Sequence, residues 1–123
     1  MNMKELTEKE RPIMELLWSN GPMFVREMID LMPYPKPHFN TVSTFVRILE
    51  QKGFVGHEKV GNSFRYLPIV SKESYSMEAL DGFLDEYFNG SARDLVFGLL
   101  RRGSLTEDDV WDLMTEVRRA GKA

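Results

Sequence analysis

The sequence predicts a mainly α fold carrying one small β-hairpin, and three observations lead there. The first lies at the start of the stretch from His38 to Val70, where Val42, Phe45, Val46 and Leu49 fall at i, i+3, i+4 and i+7 and so form one apolar helical stripe. The second is the stretch beyond that helix: Lys52-Gly53 as a helix stop, then two apolar-rich runs, Phe54 to Val60 and Phe64 to Val70, joined by Gly61-Asn62. The third is a set of three further amphipathic segments after residue 70. A helix leading directly into a hairpin is the outline of a winged helix-turn-helix. The expected architecture is therefore a winged helix over residues 1–70 and a three-helix region over 71–123.

The elements can be justified in chain order. Thr7-Glu8-Lys9-Glu10 has the capping-box pattern and opens a first helix with Ile13, Leu16 and Leu17 inward. Pro12 falls early in that helix and is expected to distort its first turn. Asn20-Gly21-Pro22 ends it. A short second helix, about Val25 to Leu31, places Val25, Met28, Ile29 and Met32 at helical spacing. Pro33, Pro35 and Pro37 then force an extended connector into the third helix. After the hairpin, Ser71 caps a helix bearing Leu80, Phe83, Leu84, Tyr87 and Phe88, which Asn89-Gly90 stops. Ser91 caps the next, with Leu95, Val96, Leu99 and Leu100. The last starts at Ser104-Leu105-Thr106, carries acids in its first turn, and presents Val110, Leu113, Met114 and Val117.

Composition narrows the function classes. The chain has 123 residues and no cysteine, which removes disulfides, thiolate metal sites and cysteine nucleophiles. No apolar run approaches the roughly 20 residues of a membrane span, and the first ten residues lack a signal-peptide core, so a soluble, cytoplasmic protein is expected. His38 and His57 are the only histidines, too few for a metal site without a carboxylate set; no metal and no cofactor are expected. Gly53, Gly56 and Gly61 do not fit a phosphate-binding loop, and no nucleophile–base spacing appears, so no catalytic residues and no enzymatic activity are expected. Trp18 and Trp111 read as structural anchors, and Met14, Met23, Met28 and Met32 as fillers of core gaps.

Charge and side-chain chemistry point to nucleic acid. The net charge of −3 divides into +1 over residues 1–70 and −4 over 71–123. Residues 36–66 hold five bases (Lys36, Arg47, Lys52, Lys59 and Arg65) against Glu50 and Glu58. Opposite its apolar stripe, the third helix carries Asn40, Thr41, Ser43, Thr44 and Arg47, short hydrogen-bonding side chains and one guanidinium suited to base edges in a major groove. A winged helix also serves as a protein-interaction module, and a ligand-sensing regulator is a further alternative. The three C-terminal helices either fold back on the winged helix or pair with a second copy. Pairing is favoured, because they are thin for their apolar content and a palindromic site needs a dimer. The interface candidates are Leu80, Phe83, Leu84, Tyr87, Leu95, Val96, Leu99, Leu100, Val110 and Leu113.

The run Asn40-Thr41-Val42-Ser43-Thr44-Phe45-Val46-Arg47-Ile48-Leu49-Glu50-Gln51-Lys52-Gly53-Phe54-Val55 resembles the helix-3 signature of the BlaI/MecI penicillinase-repressor family. The resemblance continues in Leu6-Thr7, Met14, Leu17-Trp18, Phe64-Arg65-Tyr66, Ser71-Lys72-Glu73, Leu95-Val96 and Leu105-Thr106-Glu107. It implies a homodimeric transcriptional repressor of double-stranded operator DNA, with Asn40, Thr41, Ser43, Thr44 and Arg47 facing DNA and Lys59 and Arg65 of the wing on phosphate. It also implies a membrane metallopeptidase sensor as partner, whose signal leads to a cut in the dimerisation region. Two departures stand out. Well-known members carry basic residues where Asn40 and Ser43 stand, and their cut lies between Asn and Phe where this chain has Gly98-Leu99. The copper-responsive branch uses a C-terminal cysteine cluster that this chain lacks.

Overall fold

The computed structural model describes residues 5–121. Among these are six helices and a three-stranded antiparallel sheet. They run in the order α1 (Arg11–Asn20), β1 (Met23–Phe24), α2 (Val25–Asp30), α3 (Phe39–Gln51), β2 (Val55–Val60), β3 (Ser63–Pro68), α4 (Lys72–Tyr87), α5 (Ala92–Arg101) and α6 (Glu107–Gly121). The mainly α fold with a hairpin wing is as the sequence predicts. The backbone divides into two units, Met1–Ala79 and Leu80–Ala123.

In the first unit the sheet order is β1-β3-β2. β2 and β3 form the wing, in register from Val55↔Pro68 to Val60↔Ser63. Gly61 turns it with φ +62°, the positive-φ first position that Gly supplies in a two-residue hairpin. β1 adds Met23↔Tyr66 and Phe24↔Arg65 on the other edge of β3. Sequence reading misses this strand because two residues show no alternation. The core gathers Ile13, Met14 and Leu17 of α1, Val25 and Met28 of α2, Val42, Val46 and Leu49 of α3, and Phe54, Val55 and Tyr66. Three of the four core-filling methionines (Met14, Met23 and Met28) are buried, and Met32 packs at the margin. Trp18 anchors as expected, donating from Nε1 to the Val70 carbonyl at 2.9 Å.

Two local expectations are corrected. The Thr7–Glu10 box forms, with Thr7 N–H donating to Glu10 Oε1 at 2.9 Å and Glu10 N–H to Thr7 Oγ1 at 3.3 Å, but it closes a turn and α1 begins only at Arg11. Pro12 therefore occupies the first turn, where its missing N–H has no helical partner to lose, and it does not distort the helix. The two compact units meet at 79/80, inside α4. The cause is Tyr75, whose hydroxyl accepts the Leu6 N–H at 3.0 Å and whose ring meets Phe54 and Trp18 at 5.7 and 5.9 Å.

In the second unit the caps read from sequence are present. Ser91 Oγ accepts the Asp94 N–H at 3.0 Å, and Thr106 and Asp109 cap each other at 3.0 and 3.1 Å. The Thr106 N–H bonded to its carboxylate, helped by the Thr106 hydroxyl, holds the Asp109 carboxyl below its ordinary value against a small desolvation effect. Neither α5 nor α6 has a buried residue.

Candidate nucleic-acid interface

α3 turns about 100° per residue, so its faces can be placed by arithmetic. Val42, Val46 and Leu49 point into the core. Asn40, Thr41, Thr44 and Arg47 are exposed, as expected of the outward face. Gln51, in the last turn, continues that face and was missed; it lies four residues beyond Arg47, a spacing that could have found it. Thr44 Oγ1 donates back to the Asn40 carbonyl at 2.9 Å, which leaves its methyl and its oxygen lone pairs outward.

Ser43 is the exception among the predicted residues. It is only 6% exposed, because one step beyond Val42 and three before Val46 brings it to the flank facing the wing. There Phe39, Ser43, Arg47 and Glu50 form one wall of a cleft of 770 Å³. The other wall comes from the wing (His57, Phe64 and Tyr66) and the floor from the start of α2. His57 Nδ1 lies 2.6 Å from Glu50 Oε2 and ties strand β2 to the last turn of α3. The His57 ring packs at a tilt against Phe64, centroids 4.6 Å apart. Burial is the main force that raises the Tyr66 hydroxyl above its ordinary value; Glu50 adds to the rise and Arg47 opposes it.

The five bases counted between residues 36 and 66 are not equally available. Lys36 donates to the carbonyls of Ile29, Asp30 and Met32 at 3.0, 2.9 and 2.7 Å and closes the end of α2. Lys52 pairs with Glu10 at 2.7 Å. Burial pushes the Glu10 carboxyl up, but Lys52 and the Thr7 donors outweigh it and hold it below its ordinary value. Arg65, expected on phosphate, is held by Glu58 at 2.6 Å on the face of the wing away from His57. Arg47 and Lys59 carry no ion pair among the described residues. Nor does Arg26, missed in the sequence, whose guanidinium lies over the Phe39 ring at 5.2 Å. Among the bases of α2, α3 and the wing, Arg26, Arg47 and Lys59 are thus the ones outside an ion pair among the described residues.

The predicted interface residues of the second unit differ in exposure. Phe83, Tyr87, Val96, Leu100 and Leu113 are exposed; Leu80, Leu95, Leu99 and Val110 are half-buried. Leu84 is buried within the single chain. Phe97, Trp111, Met114 and Val117 add exposed apolar surface outside the predicted set, and Trp111, 59% exposed, anchors nothing among the described residues. Gly98 and Leu99 lie within α5, with the Gly98 carbonyl accepting the Arg102 N–H at 3.1 Å. Among the described residues no group of three His, Asp or Glu is placed to hold a metal, and no helix is long and apolar enough to cross a membrane.

The sequence comparisons agree with this geometry. A family model described as penicillinase repressor matches residues 6–119. A penicillinase repressor of Bacillus licheniformis is 24% identical over 110 residues, covering 89% of this chain and 86% of that protein. An uncharacterised 16.5 kDa protein of Latilactobacillus sakei is 31% identical over 115 residues, covering 91% and 77%. The methicillin resistance regulatory protein MecI of Staphylococcus aureus is 21% identical over 110 residues, covering 89% of both. With a winged helix in place and the family model spanning almost all of its length, the chain belongs to the penicillinase-repressor family.

Proposed function

We propose that the protein is a cytoplasmic transcriptional repressor that binds a pseudo-palindromic operator duplex as a homodimer. The observation that carries the reading is the exposed face of α3, with Asn40, Thr41, Thr44 and Arg47 opposite its buried stripe and beside a wing. Short polar groups and a guanidinium there suit base edges in a major groove. Arg26 and Lys59 suit the flanking phosphates, which position a protein without specifying sequence. The operator's two half-sites are expected about one helical turn apart, or a small multiple of that. The exposed apolar side chains of α4, α5 and α6 support pairing of two copies through the second unit.

Release belongs to the same proposal. A membrane metallopeptidase sensor triggers a cut in α5 near Gly98-Leu99. That stretch is helical, so it must open before a protease can accept it, and Gly98 lowers its helix propensity by roughly 1 kcal/mol relative to Ala. Selection of bound sites from random DNA tests the core of the reading. Paired, inverted half-sites are expected, with affinity falling steeply as salt rises. Unpaired half-sites, or no retention of any duplex at low salt, would refute it. Mass spectrometry of protein from cells treated with a cell-wall antibiotic tests the cut: fragments ending near Gly98 are expected, and intact chain while the target genes are switched on would rule it out.

A further inference from the structure

The cleft between α3 and the wing holds chemistry that reading a duplex leaves unused. Its 770 Å³ falls in the range of small-molecule sites, roughly 300–1,000 Å³. Its lining includes four aromatic side chains, Phe24, Phe39, Phe64 and Tyr66, among polar and charged ones. Both carboxylates in the lining are already engaged. Glu27 Oε1 accepts the Phe24 N–H at 2.9 Å, and Glu50 lies against His57 at 2.6 Å. Both guanidiniums in the lining, Arg26 and Arg47, lack an ion pair among the described residues. On the α3 wall Ser43, 6% exposed as a residue, offers a hydroxyl to the cleft it lines.

We propose that this cleft binds a small aromatic carboxylate, its ring against these aromatic side chains and its carboxylate taken by Arg26, Arg47 and Ser43. Guanidinium forks match a carboxylate in both charge and geometry. Aromatic side chains favour a flat ring over a saturated one of equal size. A single negative charge suits the site, because a dianion would set its second charge near Glu27 and Glu50. Arg47 also belongs to the outward face of α3, so ligand and duplex draw on one guanidinium and exclude one another. That exclusion rests on the operator reading; binding in the cleft does not.

The test is a titration of the full-length protein with 2-naphthoate, followed by amide chemical shifts. Saturable shifts centred on Phe39, Ser43, Phe64 and Tyr66 are expected. Cyclohexanecarboxylate, which lacks the ring, and 2-naphthamide, which lacks the charge, should each bind about tenfold more weakly, a difference of about 1.4 kcal/mol. Arg26→Ala should weaken naphthoate roughly tenfold and Ser43→Ala several-fold, both with unchanged thermal midpoints. No saturable shift at millimolar naphthoate would overturn the proposal. So would equal binding of naphthamide, displacement by sulfate at equal concentration, or an Arg26→Ala protein of unaltered affinity. Naphthoate should then lower duplex affinity in proportion to cleft occupancy, and unchanged duplex affinity at saturation would overturn the exclusion. Failure to bind duplex even without naphthoate would refute the operator reading, and the titration alone would then decide the cleft.

Discussion

Arg47, Lys59 and Arg65 have the same formal charge and three different situations. Arg47 stands free on the α3 face, Lys59 stands free on the wing, and Arg65 is already neutralised by Glu58 at 2.6 Å. Under the proposed function, Arg47→Ala should cost roughly 1–3 kcal/mol on the preferred duplex and much less on random DNA, as for a base contact. Lys59→Ala should weaken all duplexes alike and reduce the salt slope by about one charge. Arg65→Ala should do more than remove a base: it leaves Glu58 unpaired on the wing, so Glu58→Gln should tighten binding where Arg65→Ala loosens it. Mobility-shift titrations at two salt concentrations separate the three, and identical behaviour of Arg47→Ala and Lys59→Ala on both DNAs would sink the division of roles. Glu10 makes a prediction of stability. Its folded pKa lies below the ordinary 4.5, so its contribution is fully present above that value and is lost as pH falls through the lower folded one. Glu10→Gln should therefore destabilise by about 1–3 kcal/mol at pH 7 and progressively less in acid. Urea midpoints measured across that range check it, and a gap that stays constant with pH would show that the ion pair with Lys52 contributes nothing.

Helices are legible at the level of the element because their evidence is local. A 3.6-residue apolar period, with a Ser or Thr cap at the start of α4, α5 and α6 and Gly53 just past the end of α3, locates these helices nearly to the residue. The features that escape are those that depend on a distant partner. β1 exists only because Met23 and Phe24 meet Tyr66 and Arg65. Lys52 counts among the bases of the positive stretch, yet Glu10, 42 residues away, claims it. Ser43 reads as exposed because it is polar, but the position of the wing decides its burial. The packing of the first turns of α4 escapes in the same way. Its first turns pack with the first unit through Tyr75, 69 residues from the backbone N–H that its hydroxyl receives. Tyr75→Phe keeps the ring contacts with Trp18 and Phe54 and removes only that acceptor. It should cost about 1 kcal/mol and speed hydrogen exchange at the Leu6 amide, while the amides of α5 exchange as before. Unaltered exchange at Leu6 would mean that the bond is not formed in solution.

For the molecule as a whole, the two units face opposite problems of burial. The first covers its apolar stripe with its own elements. The second offers α5, a helix of ten residues, and α6, of fifteen, neither with one buried side chain. A ten-residue helix is marginal alone in water, and stability normally comes from packing an amphipathic face. Val96 and Leu100, 40% and 39% exposed, sit one turn apart on α5, with Phe97 beside them at 57%. A second copy of the same face would cover these side chains under the closed two-fold symmetry that most homodimers adopt. Introducing Val96→Glu and Leu100→Glu together would put two carboxylates into that contact. The expected product is a monomer by sedimentation that keeps a cooperatively unfolding winged helix, since no core residue of the first unit is touched. Its operator affinity should fall far more than the affinity of one α3 face for one half-site, because the second half-site no longer benefits from effective concentration. Leu84→Ala makes the informative contrast: Leu84 is buried within its own chain, so truncating it should lower stability before it changes association. A double Glu variant that sediments as a dimer would move the interface off α5, and one that is monomeric yet binds paired half-sites undiminished would separate dimerisation from operator recognition altogether.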